Sequence, residues 1–330
     1  MPEPLVRVSR LSKHYGGHRG LLARLTGAPA TRLVAVDDVS FTIARGEIFS
    51  LVGESGSGKT TLGRTILRLI EPTDGSIVFD GTDITTLGAT QLRKARRQIQ
   101  MIFQDPVSSL NPRLTVRQML GEVLHVHAIC PRAQINARIA DLLALVGLPA
   151  DSIDRTPRHF SGGQRQRIGI ARALAMEPQF IVADEPVSAV DVSVQSQIMN
   201  LLLDLRDRLG LTLLFIAHDL SVVRYLSDRV GVMYLGRIVE TGTRDQIFTA
   251  PRHPYTQALL SAAPRPDPAQ RGTVAAIGGE PPSPLDPPDG CHFHTRCPLA
   301  TDLCRRIAPE PETVEPGHVV RCHHHARVFA

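Results

Sequence analysis

The chain contains no tryptophan and only four tyrosines and ten phenylalanines in 330 residues. Proteins that hold single-stranded nucleic acid stack successive bases on aromatic rings. This composition argues against that class, and a formal net charge of +5 is the sole support for a nucleic-acid partner. No apolar run approaches the roughly 20 residues that a bilayer-crossing helix needs. The start, MPEPLVRVSR, carries proline and glutamate where a secretory leader places a basic end and an apolar core, so export is not expected. Cysteine is scarce as well. There are five, and four of them (Cys291, Cys297, Cys304 and Cys322) fall within the last forty residues. In a reducing compartment this pattern points to a metal or to plain thiols, not to a disulfide framework. Cys130 follows an apolar helical stretch and reads as packing. What remains is an ordinary globular balance of 42% apolar and 21% charged residues, enough for one large α/β domain with an appendage or for two modest domains.

Alternation of apolar residues predicts strands over Leu5–Val8 and Val34–Ile43, separated by a surface insertion from about Gly16 to Arg32. A short buried strand, Ile48–Val52, leads into a glycine loop, and Lys59–Ile70 reads as the helix after it. Helical periodicity recurs over Thr115–His127, Arg132–Val146 and Gly163–Ala175, which predicts an all-helical subdomain at about 105–176. Strand and helix then alternate: Phe180–Ala183, Val194–Leu209, Thr212–Ala217, Leu220–Leu226 and Arg229–Met233. Alternation of this kind predicts a mainly parallel sheet covered by helices. The cluster Arg93, Lys94, Arg96 and Arg97 reads as a solvated helix face. From Pro264 the composition turns proline-rich, a stiff connector. A boundary near residue 263 therefore divides 1–263 from a tail, 264–330, that carries the cysteines.

GESGSGKT, Gly53 to Thr60, fits the phosphate-loop pattern G-x-x-x-x-G-K-[ST]. Glycines Gly53, Gly56 and Gly58 let backbone N–H groups close on phosphate oxygens, and the helix adds its positive N-terminal end. Lys59 supplies a point charge for the β- and γ-phosphates. Thr60 offers a hydroxyl to Mg²⁺, a hard ion that prefers oxygen. Ser55, Ser57 and Thr61 complete the expected ATP-binding set. Further on, FIVADEP ends a buried apolar strand in two acids. Asp184 suits the Mg²⁺ shell, and Glu185 suits the base that orients or deprotonates an attacking water.

Between these motifs lies FSGGQRQR, Phe160 to Arg167. The order and spacing of the three segments resemble those of ABC nucleotide-binding domains, a resemblance that covers Leu5 to about Ala263. It implies a P-loop NTPase fold of the α/β class, with a mixed sheet and an inserted helical subdomain. It implies that Gln104 of FQDP is the Q-loop glutamine, reaching Mg²⁺ and the water, and that His218 of IAHD is the switch histidine at the γ-phosphate. Tyr15 of KHYGG takes the position of the adenine-stacking aromatic. Ser188 and Asp191 of SAVD match the D-loop. Ser161, Gly162, Gly163 and Gln164 match the signature, which in this family serves the ATP bound by another subunit, so two such domains must pack head to tail.

Longer stretches (DPVSSLNPR, ADEPVSAVDVSVQSQI, PRHPYTQALLSAAPR and GEPPSPLDPPDGCHFHTRCP) resemble the ATPases of dipeptide and oligopeptide importers, and the insertion after Tyr15 resembles the F-type of their paired ATPases. The resemblance implies ATP hydrolysis coupled to peptide uptake and a peripheral place on the cytoplasmic side of a bacterial inner membrane. Its implied partners are a second, different ATPase subunit in a heterodimer, two transmembrane permeases and an external substrate-binding protein, with no nucleic acid. Importers of nickel or other small solutes and carbon-phosphorus lyase complexes use similar ATPases. The tail cysteines are spaced x5, x6 and x17, which does not match standard zinc spacing. Related importer ATPases carry an iron-sulfur cluster in this extension. The alternatives for Cys291, Cys297, Cys304 and Cys322 are therefore a [4Fe-4S] cluster, Zn²⁺ or free thiols, with His292, His294 and His323 to His325 as competing ligands or a surface histidine run.

Overall fold

The computed structural model describes residues 3–16, 32–105, 109–188, 190–262 and 278–328. In chain order the elements are β1 (Val6–Gly16), β2 (Arg32–Ile43), β3 (Ile48–Val52), α1 (Lys59–Ile66), β4 (Asp74–Phe79), β5 (Thr82–Asp83), α2 (Ala89–Gln98) and β6 (Ile99–Ile102). They continue as α3 (Val116–Val126), α4 (Ile135–Leu145), α5 (Gly162–Leu174), β7 (Phe180–Asp184), α6 (Val192–Leu209), β8 (Thr212–Ile216), α7 (Leu220–Leu226) and β9 (Arg229–Tyr234). The last are β10 (Arg237–Thr243), α8 (Arg244–Thr249), α9 (Pro254–Ala262), α10 (Asp302–Arg306), β11 (Glu312–Glu315) and β12 (His318–Val320). Two compact units result, one chiefly Ile43–Ile48 and Thr86–Ile216, the other Pro4–Thr42, Phe49–Thr85 and Ala217–Ala330.

The first unit is built on parallel strands. β6 pairs with β7 from Ile99↔Phe180 to Ile102↔Ala183, and β7 with β8 from Phe180↔Thr212 to Asp184↔Ile216. β7 and β8 are buried at every position, as parallel strands covered on both faces must be, and both read as continuous apolar runs. Helices α3, α4 and α5 pack on one another, and α5 also reaches β6. The described part of 105–176 contains helices and no strand. Two of these helices start at capping boxes. Thr115 Oγ1 accepts from the Gln118 N–H and Ser161 Oγ from the Gln164 N–H, with each glutamine returning its side-chain oxygen to the cap's own N–H. This satisfies donors that a helix start otherwise leaves unpaired. α6 stops at Gly210, whose φ of 65° is the left-handed cap that glycine adopts at little cost.

The second unit carries a sheet in the order β2-β1-β4-β5, antiparallel from β1 through β4 to β5. Beside it β3 pairs in parallel with β9, while β9, β10, β12 and β11 continue as antiparallel neighbours. The fold is therefore α/β with parallel and antiparallel pairings together. β1 runs on to Gly16, well past the expected Val8, and its pairing with β4 continues as far as Ser12↔Asp74, with a register shift between Ser9 and Ser12. α1 ends at Ile66, short of Ile70. Arg68 turns left-handed (φ 49°), and its guanidinium binds Glu71 at 2.9 Å and the Ile84 carbonyl at 2.7 Å. The insertion expected between Gly16 and Arg32 and the boundary near residue 263 fall on residues outside those described.

The tail does not stand apart. β12 adds to β10 through Glu240↔Val320 and Thr241↔Val319, so the described part of the extension completes its core by borrowing strands, as so short a segment must. Phe293 is buried against Tyr234 and Tyr255 at ring distances of 5.2 and 5.4 Å. At the join, the fully buried Glu240 carboxylate accepts from the Arg252 N–H at 2.6 Å, the His253 N–H at 3.1 Å and His318 Nε2 at 2.8 Å. Burial pushes the His253 pKa down to about 4, leaving that ring neutral with Nδ1 free to accept from the Tyr255 N–H at 3.0 Å. Burial likewise raises the cysteine thiols, Cys291 to about 11 and Cys322 to about 12, with the neighbouring sulfurs adding to the effect.

Two outcomes follow from this packing. Glu240→Ala removes three bonds to a buried carboxylate and should lower unfolding free energy by about 3 kcal/mol. Hydrogen exchange should then show Val319 and Val320 unprotected, and retained protection there would contradict the join. Iodoacetamide at pH 8 should label Cys291 about a hundredfold more slowly than an ordinary exposed thiol, because a pKa near 11 leaves so little thiolate. Labelling at the free-cysteine rate would mean that the tail is not packed as described.

Candidate functional site

Backbone crowding dictates the shape of the phosphate loop. Gly53 has φ 151° and Gly58 φ 103°. A Cβ at Gly53 would overlap the Met233 carbonyl oxygen, and one at Gly58 the Ala35 carbonyl oxygen. Only glycine allows the chain to pass so close to β9 and β2. Gly56, with φ 78°, faces open space. Gly58 is also the N-cap of α1, with no side-chain cap bond, which leaves the first N–H groups of the helix turned to the loop. Lys59 is buried, its Nζ donating to the Gly53 carbonyl at 2.8 Å and the Glu54 carbonyl at 2.9 Å. Ser57 is buried, Ser55 exposed, and Thr60 and Thr61 half-buried at the helix start. β1 lies against α1 and carries Tyr15, which is 36% exposed with Lys13 Nζ 5.0 Å from its ring centroid. Such a loop has the donors, the cation and the helix end that phosphate oxygens require.

Residues that the sequence did not point to hold this loop from outside. The Glu54 N–H donates to Tyr255 Oη at 2.8 Å. Its carboxylate takes both arms of Arg296, Nη1 to Oε2 at 2.9 Å and Nη2 to Oε1 at 3.0 Å. The carboxylate raises the Arg296 pKa further, while burial raises those of Tyr234 and Tyr255, so the arginine is charged and both phenols are neutral. An acid inside an anion-binding loop was the available signal, but nothing in the sequence pairs positions 54 and 296.

The first unit carries the other expected groups except His218. Asp184 closes β7 and is buried. Glu185 follows with φ 45°, a left-handed setting that costs a non-glycine residue on the order of 1 kcal/mol and is concentrated at functional sites. Its N–H donates to the Ile216 carbonyl at 3.0 Å, and Ser188 Oγ donates to its carbonyl at 3.0 Å. Gln104, 81 residues earlier, donates through Nε2 to Glu185 Oε2 at 2.9 Å. The structure thus brings together two residues that sequence analysis named separately. Asp191 is the N-cap of α6, and Gln195 Nε2 donates to the Val187 and Val190 carbonyls at 3.0 and 3.3 Å. His218 is exposed in the second unit, one residue ahead of Asp219, whose Oδ1 accepts from the Ser221 N–H at 2.8 Å to cap α7.

Ser161 and Gly162 are exposed at the start of α5, where a helix of this length presents its N–H groups. Gly163 is buried, and a Cβ there would overlap the Val194 side chain. Gln164 is engaged with Ser161 in the capping box.

In the tail, the Cys291 N–H donates to the Cys304 carbonyl at 2.8 Å. Among the described residues no group of three or more His, Cys, Asp or Glu is arranged to hold a metal. The neighbouring histidines are structural. His292 Nδ1 meets the Leu235 carbonyl at 3.1 Å, His294 Nδ1 the Cys291 carbonyl at 2.9 Å, His323 Nε2 the Ile307 carbonyl at 2.9 Å, His324 Nε2 Thr301 Oγ1 at 3.0 Å and His325 Nε2 Glu312 at 3.2 Å.

Comparison with known proteins gives the same picture. Residues 36–188 match the model of the ABC transporter family, and residues 239–304 that of the oligopeptide/dipeptide transporter C-terminal region. A putative peptide import ATP-binding protein of Brucella ovis is 54% identical over 319 residues, covering 97% of both chains. The oligopeptide transport ATP-binding protein AppF of Bacillus subtilis is 48% identical over 326 residues, again covering 97% of both. Among solved structures, cbiO1 of Clostridium perfringens, part of an ABC transporter complex, has a TM-score of 0.64 at 28% identity, covering 75% of this chain and 92% of that one. A dimeric ATP-binding cassette in a post-hydrolysis state with ADP and Pi has a TM-score of 0.63 at 29% identity, covering 72% of this chain and 98% of that one. With its crowded glycine loop, its paired Gln104 and Glu185, and likeness to peptide-import proteins over nearly its whole length, the chain belongs to the ABC transporter family as an ATP-binding protein of the oligopeptide/dipeptide branch.

Proposed function

We propose that this chain binds and hydrolyses MgATP to drive peptide uptake through an ABC importer. The observation that carries the reading is the 2.9 Å bond from Gln104 to Glu185, which holds a carboxylate at the end of β7. There it can orient or deprotonate a water for in-line attack on a γ-phosphate. Lys59 and the N–H groups of Gly56, Gly58 and the helix start neutralise the phosphates. Thr60, Asp184 and Gln104 are the residues that would hold Mg²⁺, which would supply charge neutralisation to the phosphates when bound. His218 contacts the γ-phosphate, and Tyr15 stacks on adenine. Ser161, Gly162, Gly163 and Gln164 bind the ATP of a partner ATPase subunit, with Ser188 and Asp191 at the same junction; the exposure of Ser161 and Gly162 at a helix start supports that outward role.

The peptide cargo is supported by the likeness to AppF of Bacillus subtilis and by the match over 239–304. The working assembly contains this subunit, a second and different ATPase, two permeases and a substrate-binding protein, with this chain peripheral on the cytoplasmic side. No helix among the described residues is long and apolar enough to cross a membrane, which agrees with a peripheral place.

In the complex reconstituted with its permeases, Glu185→Gln should still bind ATP and slow phosphate release about a hundredfold or more, while holding the two ATPase subunits together in nucleotide. Hydrolysis at the wild-type rate would remove Glu185 from the role of base. Lys59→Ala deletes a charge-assisted contact to phosphate and should weaken MgATP binding at least about tenfold, as read by titration calorimetry of the full chain.

A further inference from the structure

The phosphate loop contains a group that works against its own task. Glu54 places a carboxylate, 26% exposed, between two glycines that serve an anion, and like charges at such distances repel. The structure answers that charge from the far end of the chain. Arg296 grips the Glu54 carboxylate with two parallel bonds of 2.9 and 3.0 Å, the bidentate geometry that makes arginine-carboxylate pairs strong and specific. The Arg296 side chain is 5% exposed and is held in place independently. Its Nε donates to the Gly278 carbonyl at 3.1 Å, and its guanidinium carbon lies 5.8 Å from the centre of the Tyr234 ring. Tyr234 packs in turn on Tyr255, whose hydroxyl takes the Glu54 N–H. The Glu54 carbonyl is one of the two seats of Lys59 Nζ.

We propose that the C-terminal extension sets the nucleotide affinity of this chain, with Arg296 as a positioning residue that cancels the Glu54 charge and fixes the loop on which Lys59 rests. Simple packing does not account for the arrangement, because burying an ion pair costs desolvation that an apolar pair avoids. Arg296 is followed directly by Cys297 in HTRCP, so a displacement of that cysteine segment also draws the guanidinium away from Glu54. The inference rests on the reading of Gly53–Thr61 as the ATP loop.

The test is MgATP binding by the full-length chain, measured by calorimetry, with KM and kcat taken in the reconstituted complex. Arg296→Ala leaves the carboxylate uncompensated and should weaken binding about tenfold, a typical size for such coupling. The loss should appear in KM, with kcat changed less than about twofold. Glu54→Gln should bind within about twofold of wild type, and adding it to Arg296→Ala should recover most of the lost affinity. A role confined to folding the tail gives no such recovery. Arg296→Met keeps the stem and replaces the alanine variant if labelling of Cys291 shows that the alanine tail has opened. Wild-type affinity in the Arg296 variants, or a double variant as weak as Arg296→Ala, overturns the proposal. If instead Lys59→Ala binds MgATP as wild type does, the loop reading itself fails and the proposal falls with it, a result distinct from failure of the Arg296 pair alone.

Discussion

At Gly53 and Gly58 the backbone passes so close to the Met233 and Ala35 carbonyl oxygens that no side chain can be fitted. The rest of the second unit depends on this close approach. β9 supplies one carbonyl and β2 the other, so the strands that form the unit's core also set the curvature of the loop. The Gly236 N–H reaches the Ser57 carbonyl at 2.9 Å, tying the hairpin after β9 to the same turn. A loop held by backbone atoms on several sides is preorganised, and preorganised donors are those that cost least when charge arrives.

The first unit uses a different device. Its strands β7 and β8 are buried at every position, so their side chains reach solvent only where those strands end. Asp184 and Glu185 sit at such an end, where the chain turns through a left-handed residue and meets Gln104. Open parallel sheets present ligand-binding groups at the carboxyl ends of their strands for this reason. The extension follows the opposite logic. It lacks the length to make a core and obtains one by adding β12 to β10 and Phe293 to a pair of tyrosines, and in doing so it comes within reach of Glu54.

Motifs with fixed local spacing were legible in the sequence. Gly53 to Thr60 are contiguous, so their joint role follows from chain order, and β3, β7, β8 and α7 were predictable because buried runs and helical periods are short-range patterns. The strands β10, β11 and β12 were not. β10 contains Glu240, which reads as a surface residue until His318 and two backbone N–H groups are seen to surround it. The short strand β4, with Asp74 and Gly75 at its start, was hidden in the same way, because its stability comes from pairing with β1 and not from its own residues.

The sequence by itself determined the family, the phosphate loop, the pair of acids and the glutamine, because each is written in neighbouring residues whose chemistry is intrinsic. Only the tertiary structure decided that Gln104 donates to Glu185, that the tail histidines bond to backbone, hydroxyl and carboxylate groups, and that Arg296 answers Glu54 across 242 residues. Long-range pairs of this kind leave no local period or spacing, since their energy depends on distance in space, and the sheets alone bring those positions together.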